Sequence, residues 1–389
     1  MRTSSGSRRC SVGALALVAA GAAALLVFAR SPLGYPASLS TDAAAAGAAP
    51  RAPAATAAAP ASLAGAAPFA AGAEPASSKG GGGSGKDGAF EMIGGAEVVW
   101  KLPTGKPVGT LFVAHGCSHS ALDWLPKSDR CPKCIGLPEE LNITRYATEQ
   151  RGLALVAVSS ADRAGSRCWD TGRGGPDVQQ VKRALKELLA REALAALPLY
   201  ALGASSGGAF VLALAAELKL DGVCSEIMAS HSVDEAALLA KTAFGRYPPT
   251  AFAHMPRDAR TARGVAENAR VLKEQGVPVK VVEVHPVAVT AEWLAARVPE
   301  LAPPLAGAVV AALAKADMLG PDGMLKADPR QTAWRDAVRA APGGAALPTA
   351  ADASGLSEVL NVAWARHEIA SSPLSEVLDF FEASKAQKS

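Results

Sequence analysis

Beyond residue 96 the chain alternates two hydrophobic patterns. Residues 153–158, Leu-Ala-Leu-Val-Ala-Val, are apolar without interruption, as in a strand covered on both faces of a parallel sheet. Residues 177–194 instead place Val178, Val181, Leu185, Leu188 and Leu189 at helical spacing after Pro176, which predicts a crossover helix with one buried face. The alternation continues as strand 199–202, helix 207–218, strands 222–228 and 250–255, helix 261–275 and strand 279–284, with Gly276 as a stop after the second of these helices. Two β-rich runs precede it, 97–102 and 110–114, separated by Pro103, Thr104, Gly105 and Pro107 in the manner of two strands around a turn. Strands alternating with helices predict a doubly wound, mostly parallel α/β sheet. From 286 to 366 the chain becomes Pro-punctuated and helical, with 305–319 and 334–341 as examples, and a final helix is expected over 375–384. The 286–366 segment is therefore expected to be a helical insertion, a lid or binding wall over the sheet.

The first 88 residues carry neither pattern. Residues 11–29 form an uncharged apolar run after Arg8 and Arg9 and before Arg30. At about 1.5 Å per residue such a helix nearly spans a hydrocarbon core of about 30 Å. A signal anchor within 1–30 is expected, and the arginines ahead of it direct the folded domain to the lumenal or extracellular side. A cleaved secretory signal and an organelle transit peptide are the alternatives. Residues 31–88 are expected to be a disordered linker, since 42–85 is almost entirely Ala, Pro, Gly and Ser and has too few large apolar groups to offset the entropy of ordering. One folded domain, 89–389, follows.

Composition narrows the function. The net charge of +3 is small for 389 residues, and basic and acidic residues are interleaved, so nothing points to a nucleic-acid partner. The six cysteines do not make a dense disulfide framework. Cys131-Pro132-Lys133-Cys134 has no second pair at zinc-ligand spacing, which leaves it a structural role and, in an oxidising lumen, a bridge, with Cys168 as a neighbour. Cys10, beside the apolar run, is a candidate for palmitoylation. Asn142-Ile143-Thr144 is a glycosylation sequon that matters only in a secretory lumen. No phosphate loop, dinucleotide fingerprint or metal-binding carboxylate cluster is present in the sequence, so no cofactor is implied.

The chemistry concentrates at Leu202-Gly203-Ala204-Ser205-Ser206-Gly207-Gly208, a strand delivered into a Gly-flanked serine and then a helix. This is the pattern of a nucleophile elbow, in which Ser205 sits on a strained turn at the positive end of the following helix. Ser206 is the lesser alternative nucleophile, and its backbone N–H is the expected oxyanion donor.

The region 111–384 resembles the α/β-hydrolase superfamily, and specifically the uncharacterised plant and algal α/β-hydrolase-like proteins. The residues carrying the resemblance are His115-Gly116-Cys117, Cys131-Pro132-Lys133-Cys134 with Gly136-Leu137-Pro138-Glu139-Glu140, Arg167-Cys168-Trp169, the Ser205 segment, His254-Met255-Pro256 and His367-Glu368. The resemblance implies an α/β-hydrolase fold and a second oxyanion donor after the early strand, the N–H of Cys117, with Ser118 as the alternate. It places the acid after the strand that follows the elbow helix by two elements, at Asp258, with a helix cap as the lesser reading of that residue. His254 is expected to be a strand or core histidine. Two histidines compete as base. His285 ends the last predicted strand, and His367 precedes the final helix in Arg366-His367-Glu368, like the superfamily's histidine loop. His367 is expected if 286–366 is inserted. The reading is a serine hydrolase of ester or related acyl bonds acting on a small-molecule or lipid substrate. A hydrolase-fold protein that binds a ligand or does redox work without turnover is the alternative.

Overall fold

The computed structural model describes residues 88–230, 241–242 and 244–386. The predicted anchor and nearly all of the linker lie outside the described residues. Among the described residues no helix is long and apolar enough to cross a membrane.

In chain order the elements are β1 (Ala89–Ile93), β2 (Ala96–Lys101), β3 (Gly109–Ala114), α1 (Pro138–Arg145), β4 (Leu153–Val158), α2 (Pro176–Arg191), β5 (Leu199–Ala204), α3 (Ser206–Leu214) and β6 (Gly222–Glu226). A small hairpin, β7 (Lys241–Thr242) and β8 (Gly245–Arg246), precedes β9 (Thr250–His254), α4 (Ala259–Glu274) and β10 (Val279–Glu283). Then come α5 (Ala291–Arg297), α6 (Pro303–Lys315), α7 (Trp334–Ala340), α8 (Gly355–Trp364) and α9 (Leu374–Ala386). Eight strands form one sheet in the order β1-β2-β4-β3-β5-β6-β9-β10, parallel from β4 to β10, with β2 antiparallel to both of its neighbours. This strand order, with its antiparallel second strand and the crossover helices, is the α/β-hydrolase fold.

The sheet explains the unbroken apolar runs. In β3, Phe112 and Ala114 pack into the core on one face while Leu111 and Val113 pack into the core on the other, so every residue of the strand is buried. The same holds for β4 and β5. Helix α2 begins with Pro176 at its first turn and buries Val178, Val181, Leu185, Leu188 and Leu189. A third apolar cluster, built around Leu294, Val309, Trp334, Val338 and Leu360, belongs to the helices between β10 and His367.

Two expectations are corrected. The runs 97–102 and 110–114 do not pair with each other, because β4 lies between β2 and β3. The first strand, β1, and the helix α1 were not foreseen. Strand β1 has only its end residues buried, and α1 buries Glu139 and Glu140, which breaks the apolar pattern that marks a helix face.

Candidate active site

The expected elbow has the geometry its glycines require. Ser205 follows β5 with φ 52° and ψ −119°, a left-handed backbone that L residues rarely adopt. A Cβ at Gly203 would stand 2.1 Å from the Gly207 carbonyl oxygen, and one at Gly207 would stand 2.3 Å from that of Ala114. The chain can therefore turn from β5 into α3 against β3 only with hydrogen at both positions. The Ser205 N–H donates to the Glu226 carbonyl at 3.0 Å, which ties the turn to the end of β6.

Across from the turn, His367 Nε2 lies 3.1 Å from Ser205 Oγ, and His367 Nδ1 lies 2.7 Å from Asp258 Oδ2. With Nδ1–H donating to the carboxylate, Nε2 is free to accept the serine proton. Asp258 serves both readings of the sequence. It caps α4, accepting the Thr261 N–H at 3.1 Å, and it also receives the Thr261 hydroxyl at 2.6 Å and the histidine. Partial burial pushes its carboxyl upward, but the bonds from His367 and Thr261 prevail and hold it well below the usual carboxylate range. His285, the rival base, is exposed and pairs at 3.2 Å with Glu283 on the edge strand. His254 is a buried strand residue at the end of β9.

The helical segment fixes the histidine loop. Arg330 donates to the His367 carbonyl at 2.7 Å and to Glu368 at 2.8 Å, and Arg366 pairs with Asp328. Arg257, one residue before the acid, donates to the Trp364 carbonyl and stacks on its ring. Sequence reasoning missed Thr261, Arg330 and Arg257, because their partners are remote in the chain or, for Thr261, masked by an ordinary capping pattern.

The loop after β3 passes close to the serine, since a Cβ at Gly116 would stand 3.7 Å from Ser205 Cβ. The Ser118 N–H is consumed by the Ser166 carbonyl at 2.8 Å, which removes it as an alternate oxyanion donor. The N–H groups of Cys117 and Ser206 have no acceptor among the described residues. Cys117 is bridged to Cys168, and Trp169 donates its indole N–H to the His115 carbonyl at 2.8 Å while stacking on Phe210. Cys168 therefore joins Cys117 and not the Cys131–Cys134 pair, which forms its own bridge. Burial lowers His115 to about 4, and this neutral ring accepts the Ser160 N–H at Nε2 and donates from Nδ1 to Gly116. Asn142 of the sequon lies within α1.

The carboxylates of Glu139, Glu140, Glu226 and Glu358 are buried, and Glu368 beside His367 is half-buried. Burial pushes Glu226 up to about 8. Its folded pKa exceeds its unfolded one, so its stabilising contribution is complete below the unfolded value near 4.5 and is lost as pH rises through about 8. His119 acts in the same direction. Burial lowers it, but the hydrogen bond and charge of Asp123 outweigh burial and hold it up to about 9. Buried His115, held down to about 4, opposes this trend below about pH 6.5, so stability is expected to fall chiefly between about pH 6.5 and about pH 8, by up to about 1.4 kcal/mol per unit for Glu226 alone. Thermal melts across that range check it. Glu226→Gln should flatten the decline, and an equal slope in that variant would remove Glu226 as a source.

No family model and no curated protein matches the sequence. Among solved structures, the chain is similar to a thermostable esterase at 14% identity and a TM-score of 0.35, over 52% of this chain and 55% of that one. It is similar to an acetyl xylan esterase from Aspergillus awamori at 15% identity and a TM-score of 0.37, over 47% of this chain and 77% of that one. A third likeness is an alpha-beta serine hydrolase homologue from Coxiella burnetii, at 14% identity and a TM-score of 0.37, over 58% of this chain and 98% of that one. The aligned region thus spans little more than half the length of the thermostable esterase. The α/β-hydrolase fold is identified by this chain's own strand order and by the loops that follow β3, β5 and β9.

Proposed function

We propose that the protein is a serine hydrolase that cleaves an ester or related acyl bond through an acyl-enzyme. The observation that carries this reading is the continuous hydrogen-bonded line from Ser205 Oγ through His367 to Asp258, at 3.1 Å and 2.7 Å. Ser205 Oγ attacks the acyl carbonyl as its proton passes to His367 Nε2. The resulting imidazolium is stabilised by the ionised Asp258, and the oxyanion by the N–H groups of Cys117 and Ser206. Collapse expels the leaving alcohol or thiol, which takes the proton from His367. Water then attacks the acyl-serine with His367 again as base, and Ser205 leaves as the free hydroxyl with the carboxylic acid as product.

The His367 side chain is 38% exposed, so the reacting bond meets the site from solvent, in reach of soluble or membrane-presented acyl compounds. Two disulfides favour an oxidising compartment, in keeping with an anchor that sends the domain to the lumenal or extracellular side.

The test is hydrolysis of p-nitrophenyl acetate by the full-length protein, comparing His367→Ala with His285→Ala. His367→Ala is expected to lower kcat by about 10⁴, and His285→Ala to leave it unchanged. The reverse pattern would assign the base to His285, and no turnover by the folded wild type would favour a binding protein.

A further inference from the structure

We propose that His119, Asp123 and Glu140 form a site for one first-row divalent metal cation, beneath the loop that passes Ser205. One ring nitrogen of His119 and one carboxylate oxygen from each acid all lie within 4.8 Å of one another. The His119 Nδ1 to Asp123 Oδ2 distance is 3.0 Å, a hydrogen bond as the structure stands and close to the separation of neighbouring ligands about 2.1 Å from an octahedral metal. Independently of that spacing, Glu140 is 2% exposed, no N–H donor reaches its Oε2, and its carboxyl is met only by that of Glu358, a second buried acid. A buried carboxylate oxygen without a donor is a group that calls for a partner. Apart from His119 itself, protein donors are scarce here, because the surroundings are themselves acidic. Glu358 Oε1 and Glu139 Oε1 are also buried without hydrogen bonds. Arg297 stands 3.4 Å from Glu139, and Arg330 is occupied by Glu368.

One imidazole with two carboxylates is a donor set for Zn²⁺ or Mn²⁺, with water filling the remaining positions. His119 then gives up its hydrogen bond to Asp123 and binds as the neutral ring. Outer contacts that hold the ligands are in place, since Asp123 Oδ2 accepts the Ser120 N–H at 2.9 Å. Of the three ligands, Asp123 borders an open pocket of roughly 370 Å³, which Ser120, Lys133 and Arg167 also line. The site joins two elements. Asp123 ends the turn that begins at Ser120, whose neighbour His119 donates its N–H to the Gly116 carbonyl at 3.3 Å, and Glu140 belongs to α1. A bound cation therefore clamps the loop bearing Cys117 to a helix, and it does so whether or not Ser205 turns over.

The test is metal content. Full-length protein is stripped with EDTA, dialysed against Zn²⁺ or Mn²⁺, desalted and measured by inductively coupled plasma mass spectrometry, with Glu140→Gln, His119→Asn and His285→Asn alongside. Wild type and His285→Asn are expected to retain about one equivalent per chain, and Glu140→Gln and His119→Asn to bind at least ~10-fold more weakly. A folded wild type that retains no metal overturns the site, as does a Glu140→Gln variant that retains as much as wild type. The wild-type result stands by itself should either ligand variant misfold.

Discussion

Ser205→Ala is expected to reduce kcat on an activated ester by about 10⁴ to 10⁶ while leaving the melting transition within about 1 kcal/mol of wild type. The large loss follows from the role proposed for Ser205, forming the bond to the acyl carbon. The small stability effect follows from its surroundings, because what holds the turn is its N–H bond to Glu226 and the glycines on either side, and these remain. In the proposed mechanism Ser205, His367 and Asp258 act as one unit, so adding His367→Ala to Ser205→Ala should cost little more. Steady-state kinetics on the single and double variants check both statements. Additive losses would mean that the histidine works on something other than the serine.

Gly207→Ala is expected to cost roughly 3 kcal/mol or more, enough to leave little folded protein. Its Cβ would meet the backbone oxygens of Ala114 and His115 at 2.3 and 2.4 Å, and backbone of a central strand cannot swing aside as a side chain can. Gly307 is the control. It lies within α6 with nothing inside 4 Å of an added Cβ, so Gly307→Ala should stabilise by about 0.5–1 kcal/mol. Denaturant unfolding distinguishes the two. A Gly207→Ala protein as stable as wild type would show that the turn has room that its backbone does not reveal.

How far the sequence is legible depends on whether a feature is local. The elbow is local: a strand, Gly203, Ser205, Gly207 and a helix within a dozen residues encode both the turn and its crowding. The buried strands are local too, because a residue covered on either face must be apolar whichever face it points to, and β3, β4 and β5 are read directly. Pairing is not local. The runs that became β2 and β3 look like neighbours, and only the sheet reveals that β4 comes between them. Helix α1 was missed for a different reason. Its buried positions include Glu139 and Glu140, and the carboxylate of Glu139 is held by a group far along the chain. Ser371 donates both its N–H and its hydroxyl to Glu139.

The candidate site divides in the same way. Asp258 carried a cap signal and an acid signal that looked like rivals, yet its two oxygens accommodate both duties. The two histidines could not be separated by chain order. The hydrogen bonds of His367 to Ser205 and Asp258 distinguish it from His285, which is held at an exposed edge by Glu283. Arg330 and Arg257, which fix the histidine loop, left no sequence signal, since an arginine in a turn or short helical segment reads as a solvated charge.

The central claim is that His367 makes Ser205 a nucleophile. It is tested most directly by treating the full-length protein with a fluorophosphonate and locating the adduct by peptide mass spectrometry. Phosphonylation is expected at Ser205, much slowed in His367→Ala and unaffected in His285→Ala. A folded wild type that takes no label, or takes it at Ser206, would contradict it.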